Sequence, residues 1–169
     1  MQKLSGRNQL MKLALVNCSI NDSNYKVLES LLKTQRFLID IDISWNQLMP
    51  HFSKSLLTVM AENRRLQFIN LAWNNITNSE ASEEDQNTVL TLIGTIIKRN
   101  KNILHMDLTS CGLTEFILIG IGNAMRKARS LLAIHLSGND LGVTDKSKQY
   151  IRDRVRCRPQ EDIEHYLRV

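Results

Sequence analysis

The sequence predicts an α/β fold in which five strand-turn-helix units stack into a curved solenoid, with a parallel sheet on the concave side and helices on the convex side. Three observations predict it. One apolar pattern occurs five times along the 169 residues. Each copy opens with the alternation of a short, half-buried strand. Further along each copy the apolar spacing changes to three and four, the period of an amphipathic helix. Such a unit cannot bury its apolar face alone, so neighbouring copies must share one continuous core.

The first copy runs Leu10, Leu13, Leu15, Cys18, Ile20, followed by the helical set Val27, Leu28, Leu31, Leu32. The second has Leu38, Ile41, Ile43, Asn46, Leu48, and the third Leu66, Ile69, Leu71, Asn74, Ile76, whose helix follows as Val89, Leu92, Ile93, Ile96, Ile97. The fourth has Ile103, Met106, Leu108, Cys111, Leu113, and the fifth Leu131, Ile134, Leu136, Asn139, Leu141. Starting residues lie 28 apart (38 minus 10, 66 minus 38, 131 minus 103), except that the third copy runs 37 (103 minus 66). The expected units are therefore 10–37, 38–65, 66–102, 103–130 and 131–158 within a single domain, 1–169. The nine extra residues of the third fall within 78–87, an acidic stretch expected to form an exposed loop between strand and helix. It reads either as a tolerated surface insertion or as an acidic lip for a basic partner.

The pattern resembles the leucine-rich-repeat motif L-x-x-L-x-L-x-x-N/C-x-L, and its 28-residue period is similar to the ribonuclease-inhibitor subtype. The resemblance covers about Leu10 to Pro159. It implies a module that binds other proteins. Members of this group include small-GTPase activators, actin-filament capping proteins, ligand-sensing arrays and fixed subunits of ciliary and other large assemblies, and no motif selects among them. The Asn or Cys of each copy sits where the chain leaves the strand, where its side chain can satisfy backbone groups left unpaired by the turn. Cys18 and Cys111 are expected to be buried for that reason.

The two ends read differently. Residues 1–9 are too few for a helical cap, so the first strand is expected to be open and covered by another chain, or the sequence to be part of something longer. At the other end Arg158-Pro159 stops the fifth helix, and 159–169 is expected to fold back as a cap through Ile163, Tyr166 and Leu167.

Composition narrows the function classes. A hydrophobic share of 43% with 2 Pro and 7 Gly is that of a packed globular protein. The net charge of +5 serves solubility and does not by itself imply nucleic acid. Basic residues at Lys98, Arg99, Lys101 and Arg152 to Arg158 keep an RNA- or DNA-associated role as a third reading. Three cysteines, Cys18, Cys111 and Cys157, suit neither a disulfide framework nor a zinc site and point to a reducing compartment. The longest apolar stretch, Phe116 to Gly122, is too short for a bilayer, so no membrane insertion is expected. The expected location is the cytoplasm, with cytoskeletal or ciliary placement as the narrower options.

The concave face supplies the candidate site. Trp45 and Trp73, the two tryptophans of the chain, occupy the same position in adjacent repeats and should lie about 5 Å apart. Beside them Asp42, Asn70, Asp107 and His135 form one column, and Asp40, Phe68 and His105 another. Exposed aromatics flanked by carboxylates fit a basic, Arg-bearing segment, since Arg can stack on an indole while pairing with Asp40 or Asp42. In the competing view the rings merely pack on each other and seal the end of the sheet. A secondary surface is expected on the fourth helix, where Phe116 and Ile119 fall off the buried stripe of Ile117, Ile121 and Met125. No catalytic residue, metal site or cofactor is expected: the histidines lack metal-ligand spacing, and no activated nucleophile motif is present.

Overall fold

A computed structural model of the chain describes residues 10–139 apart from Asp22 and Ser79, together with Gln149. Five strands, β1 (Lys12–Ala14), β2 (Asp40–Asp42), β3 (Phe68–Asn70), β4 (His105–Asp107) and β5 (Ala133–His135), alternate with four helices, α1 (Tyr25–Thr34), α2 (Pro50–Glu62), α3 (Glu83–Arg99) and α4 (Glu115–Met125). The strands pair in parallel in sequence order. Lys12, Asp40, Phe68, His105 and Ala133 share one register row, and Ala14, Asp42, Asn70, Asp107 and His135 share another. Each helix packs on the next one along the chain. These are the features of a leucine-rich-repeat solenoid. The Leu141 position, the expected fifth helix with Arg152 to Arg158, and the expected cap at 159–169 lie outside the described residues.

The alternation that predicts the strands also sets the core. Ile41, Ile69, Met106 and Ile134, the central residues of β2 to β5, are at most 1% exposed, so one face of the sheet is sealed. Against it the helices press Leu28 and Leu32, then Leu56, Leu57 and Met60, then Val89, Ile93, Ile96 and Ile97, then Ile117, Leu118 and Ile121. Each contributes roughly 1.5–3 kcal/mol by leaving water. Leu13 and Leu15 of the first layer are only partly buried, while Leu10, Met11, Val16 and Val27 stand exposed.

Turn chemistry holds the layers in register. The Oδ1 of Asn46 accepts from the backbone of Cys18 and Ile20, both at 3.0 Å, while its Nδ2 donates to the carbonyls of Leu15 and Ile43 at 2.8 Å. One layer on, Asn74 accepts from Leu48 N at 3.3 Å and donates to Ile43 O at 3.0 Å and Leu71 O at 2.9 Å. Asn139 repeats the arrangement with Cys111 N, Leu113 N, Leu108 O and Leu136 O. In the fourth repeat the Cys111 thiol takes this place, donating to Leu71 O at 3.1 Å, and burial pushes its ionisation far up. Cys18 departs from expectation. It is exposed, and its thiol reaches only Val16 O at 3.4 Å, because among the described residues no earlier layer offers it a carbonyl.

The acidic insertion is largely exposed, Glu80, Ser82, Glu83, Glu84 and Asn87 among it, but only part of it is loop. Glu83 to Asn87 are helical, so half of the stretch extends α3 to 17 residues. Ser82 caps the helix by accepting from Asp85 N at 3.1 Å, and Glu83, Glu84 and Asp85 complement the positive end of its dipole. The segment is tied down on both sides: Asp85 pairs with Lys54 of α2, and Gln86 accepts from Thr114 Oγ1 at the start of α4 at 2.8 Å.

Replacing Asn74 with Ala should lower stability by about 3 kcal/mol, since several buried backbone groups lose their partner together. Urea unfolding should show a reduced midpoint at unchanged slope. Cys18→Ala should stay within about 0.5 kcal/mol of the parent. A loss below about 1 kcal/mol for Asn74→Ala would show that the turns hold without the ladder.

Candidate functional site

The concave face is built from side chains that alternate with the buried strand centres. Its first column runs Lys12, Asp40, Phe68, His105, Ala133, and its second Ala14, Asp42, Asn70, Asp107, His135. The expected columns are thus assembled, with the additions of Lys12, Ala14 and Ala133 at their ends. Phe68 is exposed, and Asp40, Asp42, Asn70, His105, Asp107 and His135 are half-buried.

The acidic residues are less free than their spacing alone suggests. Lys12 Nζ lies 3.2 Å from Asp40, an exposed pair worth little in stability but enough to balance charge locally. Asp42 uses one carboxylate oxygen to accept from Ser44 N at 2.9 Å and Ser44 Oγ at 2.6 Å, and the other to accept from Asn70 Nδ2 at 2.9 Å. Asn70 and Asp107 accept from Ala72 N and Thr109 N in the same way, at 3.0 and 2.9 Å. Asp or Asn at this position therefore shapes the turn leaving the strand. No reading of spacing distinguishes that duty from ligand binding, because both favour short acceptor side chains.

Beyond that turn lies the third column: Asn17, Trp45, Trp73, Ser110 and Gly138. All five adopt left-handed backbone, with φ of 52°, 57°, 58°, 51° and 69°. The conformation is held by continued pairing past the strands, Trp45 N donating to Ala72 O at 2.9 Å and Trp73 N to Thr109 O at 2.8 Å. Stacking of the indoles follows from the strand spacing. Ring centroids are 4.3 Å apart at 12° between planes, close to the predicted separation, yet Trp45 and Trp73 remain 52% and 47% exposed.

At the far side of the face the rings of His105 and His135 lie 4.8 Å apart, tilted by 59°. Half-burial lowers the pKa of His105, the nearby His135 adds to the effect, and Asp107 opposes it. Among the described residues no group of three or more His, Cys, Asp or Glu side chains is arranged to hold a metal ion. On the convex side Phe116 is exposed at 48%, whereas Ile119 is half-buried beside the covered Ile117, Leu118 and Ile121. No described helix is long and apolar enough to cross a membrane.

No protein-family model matches the chain, and no curated protein matches its sequence. Among solved structures, actin-binding site 2 of leiomodin-1 superposes with a TM-score of 0.61 over 86% of this chain and 78% of that one, at 11% identity. The likeness is one of fold.

The lowered pKa of His105 makes stability depend on pH. The folded pKa of His105 lies below its unfolded value of about 6.5, so the unfolded chain takes up the proton first as pH falls. The contribution is fully present above pH of about 6.5 and is lost as pH drops through that value toward the lower folded pKa. Thermal melts from neutral to mildly acidic pH should show a falling midpoint, and His105→Gln should flatten that fall. An unchanged pH profile in the variant would remove His105 as the cause.

Proposed function

We propose that this chain is a non-catalytic protein-protein interaction module of the 28-residue, ribonuclease-inhibitor-like subtype. In this reading its concave tryptophan pair receives a basic, Arg-bearing segment of a partner protein, and it serves as a structural or scaffolding subunit of a larger cytoplasmic assembly. One observation carries the reading: two large aromatic residues occupy left-handed turn positions that the other repeats fill with Asn17, Ser110 and Gly138. Left-handed backbone costs an ordinary side chain about 1–2 kcal/mol. The turn does not require an indole, and half of each ring faces solvent, so the core does not require it either. Strained, exposed aromatics are characteristic of binding sites.

The surroundings fit a guanidinium. The stacked pair offers a flat π surface for it, and the two columns beside it place Asp40, Asp42 and Asp107 against the single cation Lys12. Asp40 is the readier carboxylate, since both oxygens of Asp42 already accept hydrogen bonds. The exposed fringe of Leu10, Met11 and Val16 at the first strand supports a neighbouring chain at that edge. A second reading, a regulatory protein acting on actin filaments, draws on the structural likeness to a region described as an actin-binding site. Pelleting with filamentous actin separates the two: co-sedimentation that survives loss of both indoles favours the second.

Replacing both tryptophans with Asn, which tolerates left-handed backbone, should change stability by less than about 1 kcal/mol, as relief of strain offsets the lost stacking. The same change should abolish binding of an Arg-bearing peptide. In the parent, that peptide should perturb the tryptophan fluorescence, which comes from these two residues, and a Lys peptide of equal length should bind more weakly. A large loss of stability with unchanged peptide binding would make the pair a purely structural seal.

A further inference from the structure

A second charged surface lies on the opposite edge of the solenoid, where the chain leaves each helix and turns toward the next strand. Arg36, Arg64, Lys101 and Arg129 occupy the same position in four successive repeats (64 minus 36 is 28, 101 minus 64 is 37, 129 minus 101 is 28). Beside this column stand Lys98, Arg99 and Lys127, and the residues from Arg64 onward line a common open groove. Seven of the chain's 22 Lys and Arg residues thus lie along this rim.

Local structure holds this rim in place. Asn102 Nδ2 donates to Arg64 O at 2.7 Å, Asn100 Nδ2 to Leu66 O at 2.9 Å, and Ser130 Oγ to Asn100 O at 3.2 Å, so successive turns are fastened to one another. Arg64, Lys98, Arg99, Lys101 and Lys127 are exposed and make no ion pair with a described residue. Lys98 and Arg99 lie in the last turn of α3, where they offset its dipole. Dipole compensation does not require the cations of three repeats to converge on one groove.

We infer that this rim binds an acidic, Glu- or Asp-rich segment of a partner protein in extended conformation. Four rows spaced between the strand separation of about 4.8 Å and the helix separation of about 10 Å match an extended peptide on the order of five to nine residues. Arg recognises carboxylates in bidentate fashion, and the fastened turns limit the ordering needed on binding. Among the described residues no aromatic side chain lines the groove, so unpaired nucleic-acid bases would lack the aromatic platforms on which they usually stack. The surface is separate from the tryptophan face, so either can bind without the other.

The test is fluorescence anisotropy with a labelled octaglutamate peptide on three purified chains: the parent, Arg64→Gln/Lys101→Gln, and Lys12→Gln/Lys26→Gln, which removes the same charge elsewhere. All four substituted side chains are exposed, so folding should be retained, as circular dichroism would verify. The inference expects salt-sensitive binding to the parent, about tenfold weaker binding to the rim variant, and near-parental binding to the control. Absence of binding to the parent, or equal loss in both variants, would overturn it. So would an oligonucleotide of matched charge that binds the rim as tightly as the peptide.

Discussion

The stack depends on side-chain amides placed where three of its five strands end. A parallel sheet of three-residue strands has few ladder bonds of its own, and each strand must break off inside the protein, where unpaired backbone groups are costly. Asn46, Asn74 and Asn139 meet that need from both sides, accepting amide protons from one layer and donating to carbonyls of two. Because each amide bridges adjacent repeats, it fixes their register as well as their turns. The columns on the concave face follow from that register, and the tryptophan stack follows from the columns.

Much of this was legible in the sequence because the repeat imposes redundancy. A single Leu-x-x-Leu is ambiguous, but five aligned copies identify the buried positions, the strand rows and the neighbours across strands. The pairing of Trp45 with Trp73 could be read in this way before any coordinate was known. What lay beyond reach was whatever depends on an interaction outside the pattern. Cys18 and Cys111 share one position in the motif yet differ in burial, because burial depends on the layer before them. The acidic stretch reads as a loop in isolation, but half of it starts α3, capped by its own Ser82 and held by Lys54 and Thr114, which lie outside the insertion.

The left-handed turns were hidden for a different reason. Gly138 signals positive φ by its lack of a Cβ, but Trp45 and Trp73 carry the opposite signal. Only alignment of Trp45 and Trp73 with Asn17, Ser110 and Gly138 could have shown that one backbone shape serves all five. The basic rim was missed similarly: Arg36, Arg64, Lys101 and Arg129 align in the repeat but not in any short window of sequence. A short window of sequence shows only the run at Lys98 to Lys101.

The shared left-handed turn also gives the concave face a modular character. Since backbone shape there is the same whether the residue is Asn, Trp or Ser, the position works like a row of interchangeable letters on a fixed page. Substitution can change the chemistry that the face presents without disturbing the frame. The row has a natural margin at Gly138, where a Cβ would fall 2.3 Å from Ser110 Oγ, so that hydroxyl would have to yield first. The editable span therefore runs over four strands, roughly 14 Å at the usual strand spacing.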